Sequence, residues 1–257
     1  MSVALLALNA PKAIILVIVS AIAGVFNGVA GGAGLLIFPT LLAVGVPALP
    51  ANVTATVGLV PSYLGTVAGL RHEVTAQRRR FFELTPSIVL GAISGAALLL
   101  AFPASTFRAI VPWLIIAATI LFAAQPLILA RLGRLGEHHP AHRSLLFLGT
   151  FLIAIYGGYF GSAMGIMLLA LWGLLLDESL SALTALRSAL SVVLTAVCAV
   201  IFIFSGHVDF TAAACVAAGS LIGGWVGSHA VRRLHPTLFR VAVAVIGLVT
   251  SVILLIR

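Results

Sequence analysis

Apolar residues run through this chain in long blocks, without the strict alternation of a half-buried strand. Blocks at 51–70, 84–102, 109–130, 183–205, 211–231 and 238–256 match the roughly 20 residues that a helix needs to cross a bilayer. Four shorter arms come as two pairs: 13–29 with a second arm ending at Val44, and Ser144–Phe160 with Ile166–Leu176. Polar positions collect between blocks, in the head 1–12, the turn Gly45–Pro50, the charged loop Arg71–Arg80, the segment Arg131–Arg143 and the turn Asp177–Ser179. The pattern predicts an all-α polytopic membrane protein.

The short arms are separated by glycine. Ala21–Pro39 contains Gly24, Gly28, Gly31, Gly32 and Gly34, with Asn27 among them, and Ile155–Ala170 contains Gly157, Gly158, Gly161, Ser162 and Gly165. Glycine costs about 1 kcal/mol per residue inside a helix relative to alanine. Broken backbone at membrane depth persists only where protein buries it or a wet cavity faces it. Each arm pair is therefore expected to be a discontinuous helix whose break belongs to a site. An arm of about 16 residues rises roughly 24 Å, short of a full crossing, which favours two re-entrant hairpins.

The halves repeat at an offset near 131 residues: Gly34–Pro39 pairs with Gly165–Ala170, Thr106–Arg108 with Leu238–Arg240, and Gly91 and Gly95 with Gly219 and Gly223. The four-residue glycine spacings let membrane helices approach closely. The expected organisation is a first repeat over 1–131, a cytoplasmic linker over 132–143 and a second repeat over 144–257. Each repeat is a broken hairpin plus three transmembrane helices, the second inverted relative to the first.

Composition narrows the picture. Of 257 residues, 62% are hydrophobic and 8% charged, with net charge +8 and mean hydropathy +1.25; soluble domains carry about 25% charge. The arginines lie between apolar blocks, as cytoplasmic loops require, so the positive charge does not imply nucleic acid. With eight full spans the basic residues outside the membrane split nine to four; with two hairpins and six spans they split ten to three. The second split is the sharper, and it puts both termini on the periplasmic side. The N-terminus has no basic leader and no clear cleavage site, so no removable signal peptide is expected. Cys198 and Cys215 lie in apolar blocks without metal-type spacing.

Candidate chemistry lies at the breaks. Second arms beginning near Gly32 to Gly34, and near Ala163 to Gly165, would aim free N–H groups and positive dipole ends into the protein, which suits an anion, with Asn27 and Ser162 as polar groups at the same place; close packing through glycine is the other reading. Arg187 falls one or two turns into a span, where an unpaired cation costs at least about 2.5 kcal/mol. Ser191 and Thr195 share its helical face. It either contacts substrate or snorkels to the headgroups. Asn52 and Thr56, with Thr54 off their face, offer hydrogen bonds to oxyanions; Asn52 could equally cap its own helix. His72, Glu73, His207, Asp209 and His229 sit at expected loop edges, where solvated roles are the simpler expectation, although proton coupling would need one titrating group. Gly161-Ser162 lacks the Gly-x-Ser-Gly of intramembrane serine proteases. His138, His139 and His142, beside Glu137, form the one histidine cluster and read as solvated linker. No enzyme activity, cofactor or metal is expected.

Three stretches carry a resemblance to a known family: Gly28–Pro39; Ala51-Asn-Val-Thr-Ala-Thr-Val-Gly-Leu-Val-Pro61 with Gly69-Leu-Arg71; and Thr184-Ala-Leu-Arg187 continuing through Phe204–Phe210 to Gly219–Gly227 and Arg232-Arg233. The chain resembles the TauE/SafE sulfite exporter family of bacterial membrane carriers. The resemblance implies a secondary transporter in the bacterial inner membrane, moving sulfite, sulfonates or related small anions, with export the expected direction. The substrate site would draw on Asn27, Gly31, Gly32, Gly34, Asn52, Thr54, Gly161, Ser162, Gly165, Arg187, Ser191 and Thr195. The departures are Ala163-Met164-Gly165 in the second glycine triplet, Ala170 where a proline is expected, Thr195 where relatives often have asparagine and Arg187 where they often have lysine. An uncoupled anion channel and a non-transporting scaffold are the alternatives.

Overall fold

The computed structural model describes residues 9–29, 31–131 and 140–230, with 245, 249–252 and 254. Its helices are α1 (Ala10–Val29), α2 (Gly34–Ala43), α3 (Ala48–Gly69), α4 (Arg71–Ala76), α5 (Arg78–Ala101), α6 (Ala104–Arg131), α7 (Pro140–Tyr159), α8 (Met164–Leu175), α9 (Leu180–Ser205) and α10 (Phe210–Ala230). Five segments among the described residues are long and apolar enough to cross a membrane: Ala10–Gly28, Arg78–Ala101, Ala104–Leu121, Leu180–Ser205 and Phe210–Ser228. Ile14, Ile18 and Ile22 form an exposed stripe along α1, which in a chain this apolar is a surface for lipid rather than water.

Three expectations are corrected. Residue 13 is not the start of the first arm: α1 begins at Ala10 and has 20 residues, about 30 Å of helix, so it is not too short to cross. The charged loop is helical, because α4 covers Arg71–Ala76 and α5 takes Arg78–Arg80 into its first turn. The register between halves shifts by one residue. Val29 and Tyr159 end the arms, Gly34 and Met164 begin the next helices, and so Gly34 corresponds to Met164 rather than Gly165. The linker positions 132–139, with Glu137, His138 and His139, and Arg232, Arg233 and Arg240 lie outside the described residues. The described positions of the last expected span are helical.

Close glycine crossings set the packing. A Cβ built on Gly223 would overlap the Ala21 carbonyl oxygen, and one on Gly95 the Ile155 carbonyl oxygen; backbones this near gain dispersion contacts that larger residues prevent. The contact order gives helix directions. Gly24 faces Ser220–Gly224 and Gly28 faces Gly227, while Gly58 faces Val216 and Gly65 faces Leu221 and Trp225, so α1, α3 and α10 run together. Gly91 faces Phe151–Ile155 and Gly95 faces Ile155–Tyr159, so α5 and α7 also run together. Thr54, near the start of α3, bonds Asp209 just beyond α9, whereas Glu73, just beyond α3, bonds Ser181 at the start of α9; α3 and α9 therefore run in opposite directions. Lys12 Nζ donates to the Val44 carbonyl at 2.9 Å, which puts the start of α1 beside the end of α2.

Candidate functional site

The two breaks meet inside the bundle. The first turns through Gly31 (φ +79°) and Gly32 (φ +94°), the second through Gly161 (φ +77°) and Ala163 (φ +66°). Neither α2 nor α8 has a side-chain cap at its start, so their first amides are left to other partners. A Cβ on Gly31 would lie 3.5 Å from the Gly165 Cα, and one on Gly34 would lie 2.7 Å from Ser162 Oγ. Side chains at these two glycines would wedge the tips apart.

Arg187 projects from α9 into this junction and is 0% exposed. Its Nη2 donates to the Asn27 carbonyl at 2.8 Å and reaches Ser188 Oγ at 3.4 Å. The first contact caps the C-terminal end of α1, where a cation is favoured by the helix dipole. Nε and Nη1 have no hydrogen-bond partner. Nη1 points at Gly31, where a Cβ would overlap it. Asn27 donates through Nδ2 to Ser62 Oγ at 3.2 Å, but its Oδ1 is unpartnered, as is Ser191 Oγ. Buried polar atoms without partners each cost about 1–3 kcal/mol. Here four of them, Arg187 Nε and Nη1, Asn27 Oδ1 and Ser191 Oγ, collect around one guanidinium. Arg187 is thus a buried cation with two open donors and, among the described residues, no carboxylate partner.

A cavity of about 30 Å³ adjoins this cluster, room for a water or two. Gly32, Gly34, Asn52, Gly161, Ser162 and Thr195 line it. Asn27, Gly31, Gly165, Arg187 and Ser191 are not in its lining; Gly31 and Gly165 lie against the Arg187 side chain, and Asn27 is bonded to it. Phe38 and Phe160, edge to face at 5.5 Å between centroids, form an apolar wall. Asn52 Nδ2 donates to the Tyr159 carbonyl at 2.9 Å, so it caps the end of α7 and not its own helix. Thr195 and Thr56 hydroxyls donate back to Ser191 and Asn52 carbonyls. Thr54 stands apart: its Oγ1 accepts from the Asp209 backbone N–H at 3.0 Å. Asp209 itself is buried, with Oδ1 accepting from Ala212 N at 3.0 Å at the start of α10, which corrects the expectation of a solvated carboxylate. Glu73 accepts from Ser181 at the basic end, and the Tyr156 hydroxyl donates to the Ser162 carbonyl at the second break, at 2.6 Å.

Tyr63 was not singled out by its sequence. It lines the cavity, and its hydroxyl lies close to Arg187, Asn27 and Ser191. The one signal was a polar pair, Ser62-Tyr63, interrupting an apolar block after Pro61.

Comparison with known proteins gives this geometry a setting. The chain is 27% identical over 248 residues to "Probable membrane transporter protein YfcA" of Escherichia coli strain K12, covering 94% of this chain and 88% of the relative. It is 24% identical over 237 residues to a "Probable membrane transporter protein" of Haemophilus influenzae, covering 91% and 90%. A third relative, "Probable membrane transporter protein ORF9" of Sinorhizobium sp., is 26% identical over 210 residues, covering 81% and 78%. No solved structure matches. Residues 16–254 match the family model described as "Sulfite exporter TauE/SafE". The chain therefore belongs to the TauE/SafE family and is a multi-pass membrane transporter.

Proposed function

We propose that the protein is a secondary carrier that exports small sulfur-containing or organic oxyanions from a bacterial cytoplasm, binding them between the two helix breaks. The observation that carries this reading is the fully buried Arg187, whose Nε and Nη1 have no partner. Asn27, Ser191 and Tyr63 supply polar groups beside it, and Ser162 lines the adjoining cavity. Thr54 is omitted because its hydroxyl serves Asp209. The cavity of about 30 Å³ is too small for a hydrated oxyanion, so this arrangement reads as a closed state that opens when the halves move apart.

Inverted repeats over 1–131 and 144–257, joined by the linker 132–143, support such movement. With α1, α2, α3 and α5 exchanged for α7, α8, α9 and α10, the main contacts exchange too: α1 on α10 for α7 on α5, and α3 on α10 for α9 on α5. The opposed directions of α3 and α9 support inversion. The Lys12–Val44 hydrogen bond supports a re-entrant first hairpin. Arg71, Arg78, Arg79, Arg80 and Arg143 cluster at one end, which we assign to the cytoplasm of the bacterial inner membrane, with both termini periplasmic.

The Arg187–Asn27 contact also favours a second reading, in which Arg187 merely caps α1 in a scaffold. Flux of sulfite and sulfonates into proteoliposomes separates the two. The carrier predicts saturable flux, accelerated by a proton gradient if protons are the coupling ion, and reduced at least about tenfold in folded Arg187→Ala, given 1.5–3 kcal/mol for a hydrogen bond to a charged group. Absence of flux for every anion in folded wild type would leave the scaffold.

A further inference from the structure

A second basic pocket lies away from the breaks, where the first turns of α5 and α7 meet the chain leaving α8. Its volume is about 390 Å³, and three arginines, Arg79, Arg80 and Arg143, line it together with Gln77 and two carboxylates, Glu83 and Glu178. Leu146, Phe147, Leu175 and Leu176 form its apolar floor. We propose that this pocket binds the phosphate headgroup of an anionic phospholipid.

Four observations point there. Gln77 is 6% exposed and lines the pocket, yet its carboxamide makes no hydrogen bond among the described residues. Its place in the lining puts a carboxamide, which can donate to a phosphate oxygen, beside the three arginines. Arg143 is paired with no carboxylate among the described residues; its guanidinium lies over the Phe147 ring, 5.8 Å from the centroid. Arg79 and Arg80 do meet carboxylates, at 2.9 Å from Glu83 and 3.4 Å from Glu178. The exposed Arg79–Glu83 pair contributes little, whereas a phosphate accepts two parallel bonds from a guanidinium. Finally, the lining joins charge to apolar surface, and Leu145 and Leu148 continue that surface outward as exposed residues. A free inorganic anion has no use for the apolar floor; an amphiphile matches both parts. Basic pockets at the cytoplasmic end of membrane helices recognise lipid headgroups in this way.

The test uses the full chain purified in detergent, with the thermal midpoint and native mass spectra followed on titration with phosphatidylglycerol, phosphatidylcholine or inorganic phosphate. Phosphatidylglycerol should bind saturably and raise the midpoint, and phosphatidylcholine should not. The double variant Arg80→Gln/Arg143→Gln should weaken phosphatidylglycerol binding roughly 30-fold, from about fivefold for each interfacial arginine. Should that variant fold poorly, the exposed Arg143→Gln alone should still give about fivefold, and Gln77→Glu should weaken binding by placing a carboxylate against the phosphate. Equal binding of both lipids, or variants that bind phosphatidylglycerol like wild type, would overturn the proposal. Stabilisation by inorganic phosphate that the double variant loses would assign the pocket to a free anion and also overturn it. Arg187→Ala should leave lipid binding intact, so this result stands apart from the carrier reading.

Discussion

The two helix breaks occupy matching places but are built differently. At the first, two successive glycines turn the chain, Ala33 has ordinary helical φ, and Gly34 opens the next helix without a side chain. Asn27, two residues before the end of α1, brings its amide into the junction. At the second, Gly161 turns the chain but Ala163 also takes a left-handed φ, and Met164 opens the next helix. There Gly157 holds the place of Asn27, and a Cβ on it would overlap Met164 Sδ. The side chain has moved from one helix to the other, and a polar amide has become an apolar thioether. Arg187 follows that asymmetry. Its free Nη1 faces Gly31 at the first break, whereas at the second Met164 lies against Gly157 and Gly161 faces only the Gly157 carbonyl.

Substitutions that exchange the characters of the breaks test this comparison. The largest effect is expected for Gly31→Ala, whose Cβ overlaps Arg187 Nη1. Anion flux should fall at least tenfold, by loss of one charge-assisted contact, and unfolding should show a cost of about 1–2 kcal/mol for the left-handed backbone. Met164→Ala should cost about 2 kcal/mol or more in stability, and because Met164 lines the cavity it should extend transport to bulkier sulfonates, measured by competition for flux. Gly161→Ala carries the same backbone cost as Gly31→Ala, about 1–2 kcal/mol, but its Cβ meets only the Gly157 carbonyl at 3.2 Å. It should lower Tm while flux per folded molecule stays near wild type. If both glycine variants lose flux equally, the breaks are functionally equivalent and the comparison fails. The smallest change is expected for Ala163→Gly. Relief of its left-handed strain should stabilise the protein by about 1 kcal/mol, a rise of a few degrees in Tm.

Much of this organisation was legible in the sequence for physical reasons. Lipid demands long apolar blocks, broken helices demand glycine, and a buried arginine stands out in Thr184-Ala-Leu-Arg187 because its cost in an apolar span is large. The periodicity that puts Ser191 and Thr195 on the Arg187 face is local and needs no tertiary information. What escaped depends on contacts between distant segments. Asn52 reads as a cap for its own helix, but its partner is Tyr159, more than a hundred residues away. Thr54 has a plausible oxyanion donor's chemistry, yet Asp209 takes it. Tyr63 looks like an ordinary core aromatic until Arg187 is beside it. Gly34 and Gly165 look equivalent as glycines, but the helices after the breaks start at Gly34 and Met164. The helix over Arg71–Ala76 was hidden because charge was taken for loop.

The central claim is that the guanidinium between the breaks is open for an anion. The most direct measurement is the thermal midpoint of purified protein titrated with sulfite or a small sulfonate, wild type beside Arg187→Gln. A ligand at 100 times its Kd stabilises the state that binds it by about 2.7 kcal/mol. The account predicts a saturable rise in Tm for wild type and none for a folded Arg187→Gln. An equal rise in both proteins would place the anion elsewhere and contradict the account.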